Sequence, residues 1–263
     1  MIKKYKNIPD YLAQRREFVF LLLAGVFLGT LVMLNILGVS RFIDLSEWFG
    51  LSSESSITFS IAIGVLPYPV TFLCTDFISE IYGKKRANNV VLVGLILNLW
   101  ILFVIWFGGW LDAPADLQSN GQLPITVQNG EAQVPHGYAF YAMRSLAFGA
   151  TLASMIAYLV AQFIDVHIFH YLKKKTKGKK LWLRNNGSTL ISQLVDSIAV
   201  ILITHYLANG IPLNEDQSVF IQLCSFILSA YIFKFAAALL DTIPFYIGSK
   251  YLKRYLKIED EVD

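Results

Sequence analysis

The sequence has little charge for its length. Only 16% of its 263 residues are Asp, Glu, Lys or Arg, whereas soluble domains usually carry about 25%. Hydrophobic residues make up 55% of the chain, and the mean hydropathy is +0.52. Charges this sparse, separated by long apolar runs, argue against a water-soluble globule. They indicate a chain whose surroundings are lipid.

The sequence also lacks the motifs of several enzyme classes. It contains no G-x-x-x-x-G-K-[ST] phosphate loop, which excludes ATP hydrolysis by that route. Neither H-E-x-x-H nor G-x-S-x-G occurs, which disfavours a membrane protease or esterase. The two cysteines, Cys74 and Cys224, form no metal-ligand pattern. We therefore expect a protein that is not an enzyme and has no catalytic residues, metal or cofactor.

Six apolar segments are long enough to cross a bilayer, because a helical span needs roughly 20 mostly apolar residues. Helix is the expected state, since lipid offers the backbone no hydrogen-bond partners. The sequence therefore predicts an all-α bundle of six transmembrane helices, with residues 1–263 forming one transmembrane domain. The predicted spans are about 18–39, 57–75, 88–110, 139–165, 187–208 and 219–247.

The loops predict the orientation of these spans. Basic residues cluster at the N-terminus, at 83–86, at 173–184 and in the C-terminal tail, whereas loops 111–138 and 209–218 contain no Lys or Arg. Arg41 is the exception to this alternation. The positive-inside rule then places both termini in the cytoplasm, and we expect a multi-pass protein of the bacterial inner membrane.

A mixed segment precedes the second predicted span, and two prolines interrupt that span. Segment 40–56 is short and mixed in polarity, which predicts an amphipathic piece at the outer membrane interface. Pro67 and Pro69 flank Tyr68 near the middle of the span, where a proline removes a backbone donor. Broken helices of this kind line substrate cavities in transporters, and a simple kink is the alternative.

Four polar residues follow those prolines at helical spacing. Thr71 and Thr75 form one i,i+4 pair, and Asp76 and Glu80 form another, so each pair shares a helix face. The two carboxylates come just before the basic residues 84–86. They belong either to an ion-paired turn that fixes neighbouring spans or to a binding site.

The fourth span carries a polar stripe whose members are spaced by three, four or seven residues, as on one helical face. Its first member, Arg144, lies near the outer end, where it can reach the interface. His167 and His170 follow the stripe, but two histidines are too few for a metal site. The stripe consists of Arg144, Thr151, Ser154, Tyr158, Gln162 and Asp165.

The fifth and sixth spans place charges deep in the membrane. Asp196 lies roughly 14 Å inside the predicted fifth span at 1.5 Å per residue, on a face with Asn186 and Gln193. Lys234 lies at a similar depth in the sixth span, which makes Asp196 its expected counter-ion. Asp241 is about 10 Å from Lys234 along the same helix, too far for direct pairing. Such a buried pair either fixes helix register or marks a substrate pathway.

Three stretches resemble the queuosine precursor transporter family, which is also grouped with vitamin uptake transporters. They are residues 66–88 (LPYPVTFLCTDFISEIYGKKRAN), 181–197 (LWLRNNGSTLISQLVDS) and 234–244 (KFAAALLDTIP). The resemblance covers all six spans. It implies import of 7-cyano-7-deazaguanine, 7-aminomethyl-7-deazaguanine or queuine for tRNA modification. It also implies that motif positions bind the substrate: Thr75, Asp76, Glu80, Asn186, Gln193, Asp196, Lys234 and Asp241.

The chemistry of a deazaguanine fits those residue types. Its ring N–H and amino group can donate to one carboxylate, Asp196 or Asp241, and its carbonyl needs a donor such as Lys234. The flat ring can stack on Tyr68 or Tyr158, and Arg144 completes the predicted site. We expect a small-molecule substrate and membrane lipid as partners, and no nucleic acid.

Two other readings stay open at this point. The chain could be the substrate-binding subunit of a transporter for another vitamin-like molecule, working with a separate ATPase. It could also be a membrane enzyme acting on a lipid or isoprenoid, although no catalytic constellation supports that reading. The sequence leaves the energy source, the choice of deazaguanine and a homo-oligomeric state undecided.

Overall fold

The computed structural model is mostly helical. Six α-helices lie within its described ranges: α1 Asp10–Leu37, α2 Tyr68–Tyr82, α3 Lys84–Trp110, α4 Tyr138–Lys175, α5 Leu181–Ile203 and α6 Val219–Tyr255. A π-helical turn, Thr204–Ala208, continues α5. The structure describes residues 9–38, 40–50, 59–111, 113–119, 121–128, 131–176, 181–208, 211–214 and 217–258.

Four of these helices are long and apolar enough to cross a membrane. Their candidate spans are Asp10–Leu37, Lys85–Trp110, Tyr138–Ala161 and Val219–Tyr255. On α3, the side chains of Leu92, Trp100 and Trp110 are more than half exposed, as expected of a helix that contacts lipid. The protein is therefore a multi-pass membrane protein. All six helices overlap predicted spans, but α2 has 15 residues and the apolar part of α5 is also short. Six full crossings, and their orientation, stay predictions.

The second span was predicted wrongly at its start. Residues 60–62 form a β-strand and residues 63–65 a 3-10 helix, so α2 begins only at Tyr68. Pro67 immediately precedes α2, and Pro69 is its second residue. At these positions the missing N–H costs nothing, because the first N–H groups of a helix have no intrahelical partner. The prolines therefore begin a helix and do not break one.

The segment before α2 forms a small antiparallel sheet. Strand β1 (Phe42–Asp44) pairs with β2 (Ser60–Ala62), with Phe42 opposite Ala62. A 3-10 helix, Ser46–Phe49, follows β1. The hydroxyl of Ser46 accepts a hydrogen bond of 2.8 Å from the backbone N–H of Phe59. The predicted amphipathic piece is thus one short helical turn attached to a strand pair; residues 51–58 lie outside the described part.

A second pair of strands lies in the loop before α4. Strands β3 (Thr126–Gln128) and β4 (Glu131–Gln133) are antiparallel, with Thr126 opposite Gln133. All six residues are exposed. This loop carries no Lys or Arg, in keeping with its predicted position outside the cytoplasm.

The helices contribute to two compact units. The first unit contains the described residues of 1–32, 67–96 and 236–263, and the second contains those of 33–66 and 97–235. In the first unit, α1, α2 and α3 share a core of Ala24, Phe27, Cys74, Ile78, Ala87 and Val90. Gly94 lets α3 approach α1, because a Cβ there would lie 2.7 Å from Leu31 Cδ2. The single domain stays a prediction.

In the second unit, α4 packs along α5. The buried face of α4 is built from small side chains, which let two helix backbones approach closely. Its alanines are Ala147, Ala150, Ala153, Ala157 and Ala161, each at most 6% exposed.

Candidate substrate site

An ion pair lies inside the second unit. The Nζ atom of Lys234 on α6 donates to Oδ2 of Asp196 on α5 over 2.5 Å. Both residues are buried, at 5% and 6% exposure. The counter-ion predicted for Lys234 is confirmed. A buried charge pair costs free energy, because the penalty for removing two charges from water can exceed the gain from their mutual attraction.

A polar face of α5 leads to this pair. Ser188, Ser192 and Asp196 follow one another at intervals of four residues and are all buried, so they lie above one another on one side of the helix. Ser197 is also buried, and its hydroxyl donates to the backbone carbonyl of Gln193 over 2.9 Å. Polar groups are therefore concentrated along the part of α5 that carries the ion pair.

Three further polar atoms on α4, α5 and the π-helical turn are buried without a hydrogen-bond partner among the described residues. They are Oε1 of Gln193, Oγ1 of Thr151 on α4 and Oγ1 of Thr204. Buried polar atoms are nearly always hydrogen-bonded, to protein, water or a ligand. Three such atoms in one compact unit are therefore a sign of a polar ligand or bound water.

Thr204 was missed by the sequence analysis. It lies eight residues beyond Asp196 and opens the π-helical turn. Turns of this type are rare and frequent at functional sites. The signal in the sequence is its spacing from Asp196, at two i,i+4 steps, which continues the polar face of α5.

A buried amide pair was also missed. The side-chain nitrogen of Asn35 on α1 donates to Oδ1 of Asn98 on α3 over 2.9 Å, and both residues are buried. The Oδ1 atom of Asn35 has no partner among the described residues. Each asparagine is flanked by apolar residues within its helix, a pattern typical of amides that hydrogen-bond across membrane helices.

The first unit contains the other predicted carboxylates. Asp76 on α2 and Asp241 on α6 are close enough for their charges to interact. The Oδ2 atom of Asp241 is buried and accepts no hydrogen bond from the described residues. Two carboxylates whose charges interact repel one another when both are ionised, so a proton or a donor group near them would relieve that repulsion.

An ion-paired turn between Glu80 and the basic residues after it, one of the two readings of the sequence, is not seen among the described residues. Glu80 instead pairs with Lys253 of α6 at 2.7 Å, and Arg86 pairs with Glu17 of α1 at 3.5 Å. These pairs connect helices that are distant in sequence. Their partly exposed positions limit the stabilisation from each pair to about 1 kcal/mol or less.

Local bonds hold the remaining predicted groups on α2. The hydroxyl of Thr75 donates to the backbone carbonyls of Thr71 and Phe72 over 3.0 and 2.9 Å. The ring of Tyr68 packs edge-to-face on Phe72, with centroids 4.8 Å apart. The side chains of Thr75 and Tyr68 are half-buried, so part of the surface of each is accessible to a ligand.

One predicted binding residue, Arg144, is not brought to the ion pair. Arg144 lines an apolar cavity whose lining contains neither Asp196 nor Lys234. Asn186 belongs to α5, but its side chain lies outside the described part of the structure, as do those of Gln162 and Asp165. In the same stretch, Tyr158 is 39% exposed, so the predicted stripe on α4 does not form one buried face.

The chain matches a family model described as "Putative vitamin uptake transporter" over residues 62–248. The match includes α2 to α5, most of α6 and both charge clusters. The chain belongs to this family. The protein is therefore a transporter and not an enzyme. Its buried charged side chains are thus candidates for binding the transported molecule.

Curated relatives of this transporter carry a more specific name. It is 28% identical over 206 residues to a "Probable queuosine precursor transporter" of Bacillus subtilis, covering 78% of this chain and 74% of that protein. It is 26% identical to the "Queuosine precursor transporter" of Escherichia coli, covering 58% of each chain. A "Probable queuosine precursor transporter" of Haemophilus influenzae is 24% identical, with 59% and 57% covered. No solved structure matches significantly.

Proposed function

We propose that this transporter imports a queuosine precursor across the bacterial cytoplasmic membrane, with both termini inside the cell. The candidate substrates are 7-cyano-7-deazaguanine, 7-aminomethyl-7-deazaguanine and queuine. The names of the three relatives point to this class. The observation that supports it most is the buried Asp196–Lys234 pair, three residues from Gln193, whose amide oxygen has no hydrogen-bond partner among the described residues.

The ion pair offers both kinds of contact that the base requires. A carboxylate can accept two hydrogen bonds from the ring N–H and the exocyclic amino group. An ammonium group has three donors, and a donor of this kind suits the ring carbonyl of the base. We propose that Asp196 binds the amino edge of the base and Lys234 its carbonyl.

The unpartnered atoms extend this proposed site. Gln193 precedes Asp196 by three residues, so both side chains lie on neighbouring parts of one helix face. An amide there can bind either a donor or an acceptor on the base. We propose that Gln193 hydrogen-bonds the substrate directly, because a substrate is the partner that its buried oxygen lacks among the described residues.

The carboxylates of the first unit form a second group of proposed binding residues. Asp241, with its buried unpartnered oxygen, and Asp76 beside it can bind a donor of the substrate or a coupled proton. Thr75, Tyr68 and Glu80 lie on the same helix as Asp76. We propose that these residues contribute to uptake from within their own unit.

Complementation in a bacterium tests this function. The host neither synthesises nor imports deazaguanines, each base is supplied at low concentration, and queuosine is measured in its tRNA. We expect restoration with at least one of the three bases. Protein that reaches the membrane but restores queuosine with none of them would contradict the proposed function.

A matched pair of variants connects the function to the site. Asp196→Asn removes the buried carboxylate, and we expect it to abolish uptake while the protein still inserts. Glu17→Gln removes the carboxylate of an exposed ion pair on α1, and we expect uptake close to that of the wild type. Normal uptake by Asp196→Asn would remove Asp196 from the site.

A further inference from the structure

An apolar groove in the second unit has one charged residue in its wall. The cavity has a volume of about 310 Å³ and lies between α3, α4 and the end of α1. Arg144 is the one polar residue of its lining, which otherwise consists of Ile36, Trp100, Ile101, Val104, Ile105, Phe140, Met143 and Ala147. Trp100 and Met143 are 60% and 51% exposed. The groove is therefore open at the helix surface that contacts lipid.

Arg144 stands at one end of this groove, against α3. A Cβ on Gly109 would collide with its guanidinium group, and a Cβ on Gly108 would lie 3.3 Å from the ring of Phe140. Two consecutive glycines thus make room for the arginine and the aromatic ring. Among the residues that the structure describes, no carboxylate pairs with Arg144.

The position of Arg144 along the helices corresponds to a membrane interface. It is the seventh residue of α4 and lies beside Gly109, one residue before the end of α3. Trp106 and Trp110 occupy the same end of α3 and are 50% and 67% exposed. Exposed tryptophans are typical of the headgroup level of a bilayer. From there the groove continues along α3 to Trp100, roughly 15 Å from Trp110 at 1.5 Å per residue.

We propose that this groove binds one anionic phospholipid, with its phosphate on Arg144 and an acyl chain along Ile105, Ile101 and Trp100. Guanidinium pairs well with phosphate because its fork of donors matches two phosphate oxygens. The apolar wall below it fits a hydrocarbon chain and offers no polar group to a purine-like base. An anionic phospholipid has both a phosphate for Arg144 and an acyl chain for the apolar wall, at the depths in the membrane where these parts of the groove lie. This inference does not depend on the identity of the transported substrate.

Lipid-dependent quenching of Trp100 tests this assignment. Trp100 is kept as the single tryptophan by replacing Trp48, Trp106, Trp110 and Trp182 with phenylalanine. The protein is reconstituted into mixtures with brominated phosphatidylglycerol or brominated phosphatidylcholine. An interfacial cation contributes enough to favour the anionic lipid by about fivefold. Equal quenching by the two lipids would overturn the proposal.

Three variants locate the effect in the groove. Arg144→Gln removes the charge, and Gly109→Ala displaces the guanidinium without altering charge, so both should reduce the preference to about one. Lys250→Gln removes a positive charge from an exposed site on α6 and should leave the preference unchanged. An unchanged preference in Gly109→Ala would contradict the role of Arg144 even if Arg144→Gln did not fold.

A competition experiment separates the lipid from other occupants. Glycerol phosphate shares the anionic group but has no acyl chain, so millimolar glycerol phosphate should leave the quenching of Trp100 unchanged. Relief by glycerol phosphate would assign the site to a free phosphate. Relief by a deazaguanine would assign the groove to the substrate, and either result would refute a lipid site.

Discussion

Removing one member of the Asp196–Lys234 pair should destabilise the protein far more than removing both. Lys234→Met removes the cation that pairs with the buried carboxylate of Asp196, and Asp196→Asn removes the carboxylate that pairs with the buried ammonium of Lys234. Breaking a buried pair in this way costs about 3–5 kcal/mol, whereas neutral residues at both positions are often tolerated. The double variant should therefore lie within about 1 kcal/mol of the wild type in its free energy of unfolding.

Uptake should follow a different pattern from stability. If the pair binds substrate, both single variants and the double variant lack the carboxylate, the ammonium or both, so all three should fail to import the base. If the pair only fixes the helices, the double variant should recover uptake together with stability. The two measurements together distinguish a binding role from a structural one.

The assay combines unfolding in mixed micelles, followed by circular dichroism, with complementation for uptake. Lys253→Gln is the control, because it breaks a partly exposed pair with Glu80 and should cost about 1 kcal/mol or less. The reasoning is refuted if the double variant is as unstable as the singles. It is also refuted if the double variant imports the base normally.

Three further predictions concern single side chains. Gln193→Leu should raise the substrate concentration needed for half-maximal uptake about tenfold. The free energy of unfolding should change little, since Oε1 bonds to no described residue. An unchanged concentration dependence of uptake would remove Gln193 from the site. Gly248→Ala should lower the free energy of unfolding by about 1–3 kcal/mol, because the added Cβ would lie 2.5 Å from Phe77 Cζ. Gly29→Ala is the control and should leave stability unchanged, because no atom lies within 4 Å of its added Cβ. Asn35→Leu should cost about 1–3 kcal/mol by leaving buried Asn98 without its donor, and Asn35→Leu/Asn98→Leu should recover part of that loss; equal instability would contradict the pairing.

The buried ion pair could be predicted from the sequence because depth in a membrane follows from residue count. Asp196 and Lys234 both lie near the middle of the membrane in the predicted spans, and a lone charge at that depth requires a partner. The same reasoning correctly separated Lys234 from Asp241, since seven residues on one helix keep two groups about 10 Å apart.

The start of α2 could not be predicted in the same way. Hydropathy treats residues 57–66 as part of an apolar helix, but the pairing of β2 with β1 uses a partner almost twenty residues away. Periodicity contains no information about such a partner. The sequence predicts either a broken helix or a kink at Pro67 and Pro69, because it does not show where the helix starts.

The other polar contacts across helices could not be predicted from the sequence. A face of α5 can be identified from its spacing, but spacing does not show which helix covers it. Thr204 and the Asn35–Asn98 pair therefore emerged only from the structure. Likewise, Glu80 was close in sequence to three basic residues, yet it pairs with Lys253, more than 170 positions later.

Uptake by purified protein in liposomes tests the central claim most directly. Labelled 7-cyano-7-deazaguanine, 7-aminomethyl-7-deazaguanine and queuine are each supplied outside the vesicles, with excess unlabelled base as competitor. We predict saturable accumulation of at least one base by the wild type and by Glu17→Gln, and none by Asp196→Asn. Accumulation of no deazaguanine by folded wild-type protein, or equal accumulation by Asp196→Asn, would contradict the account.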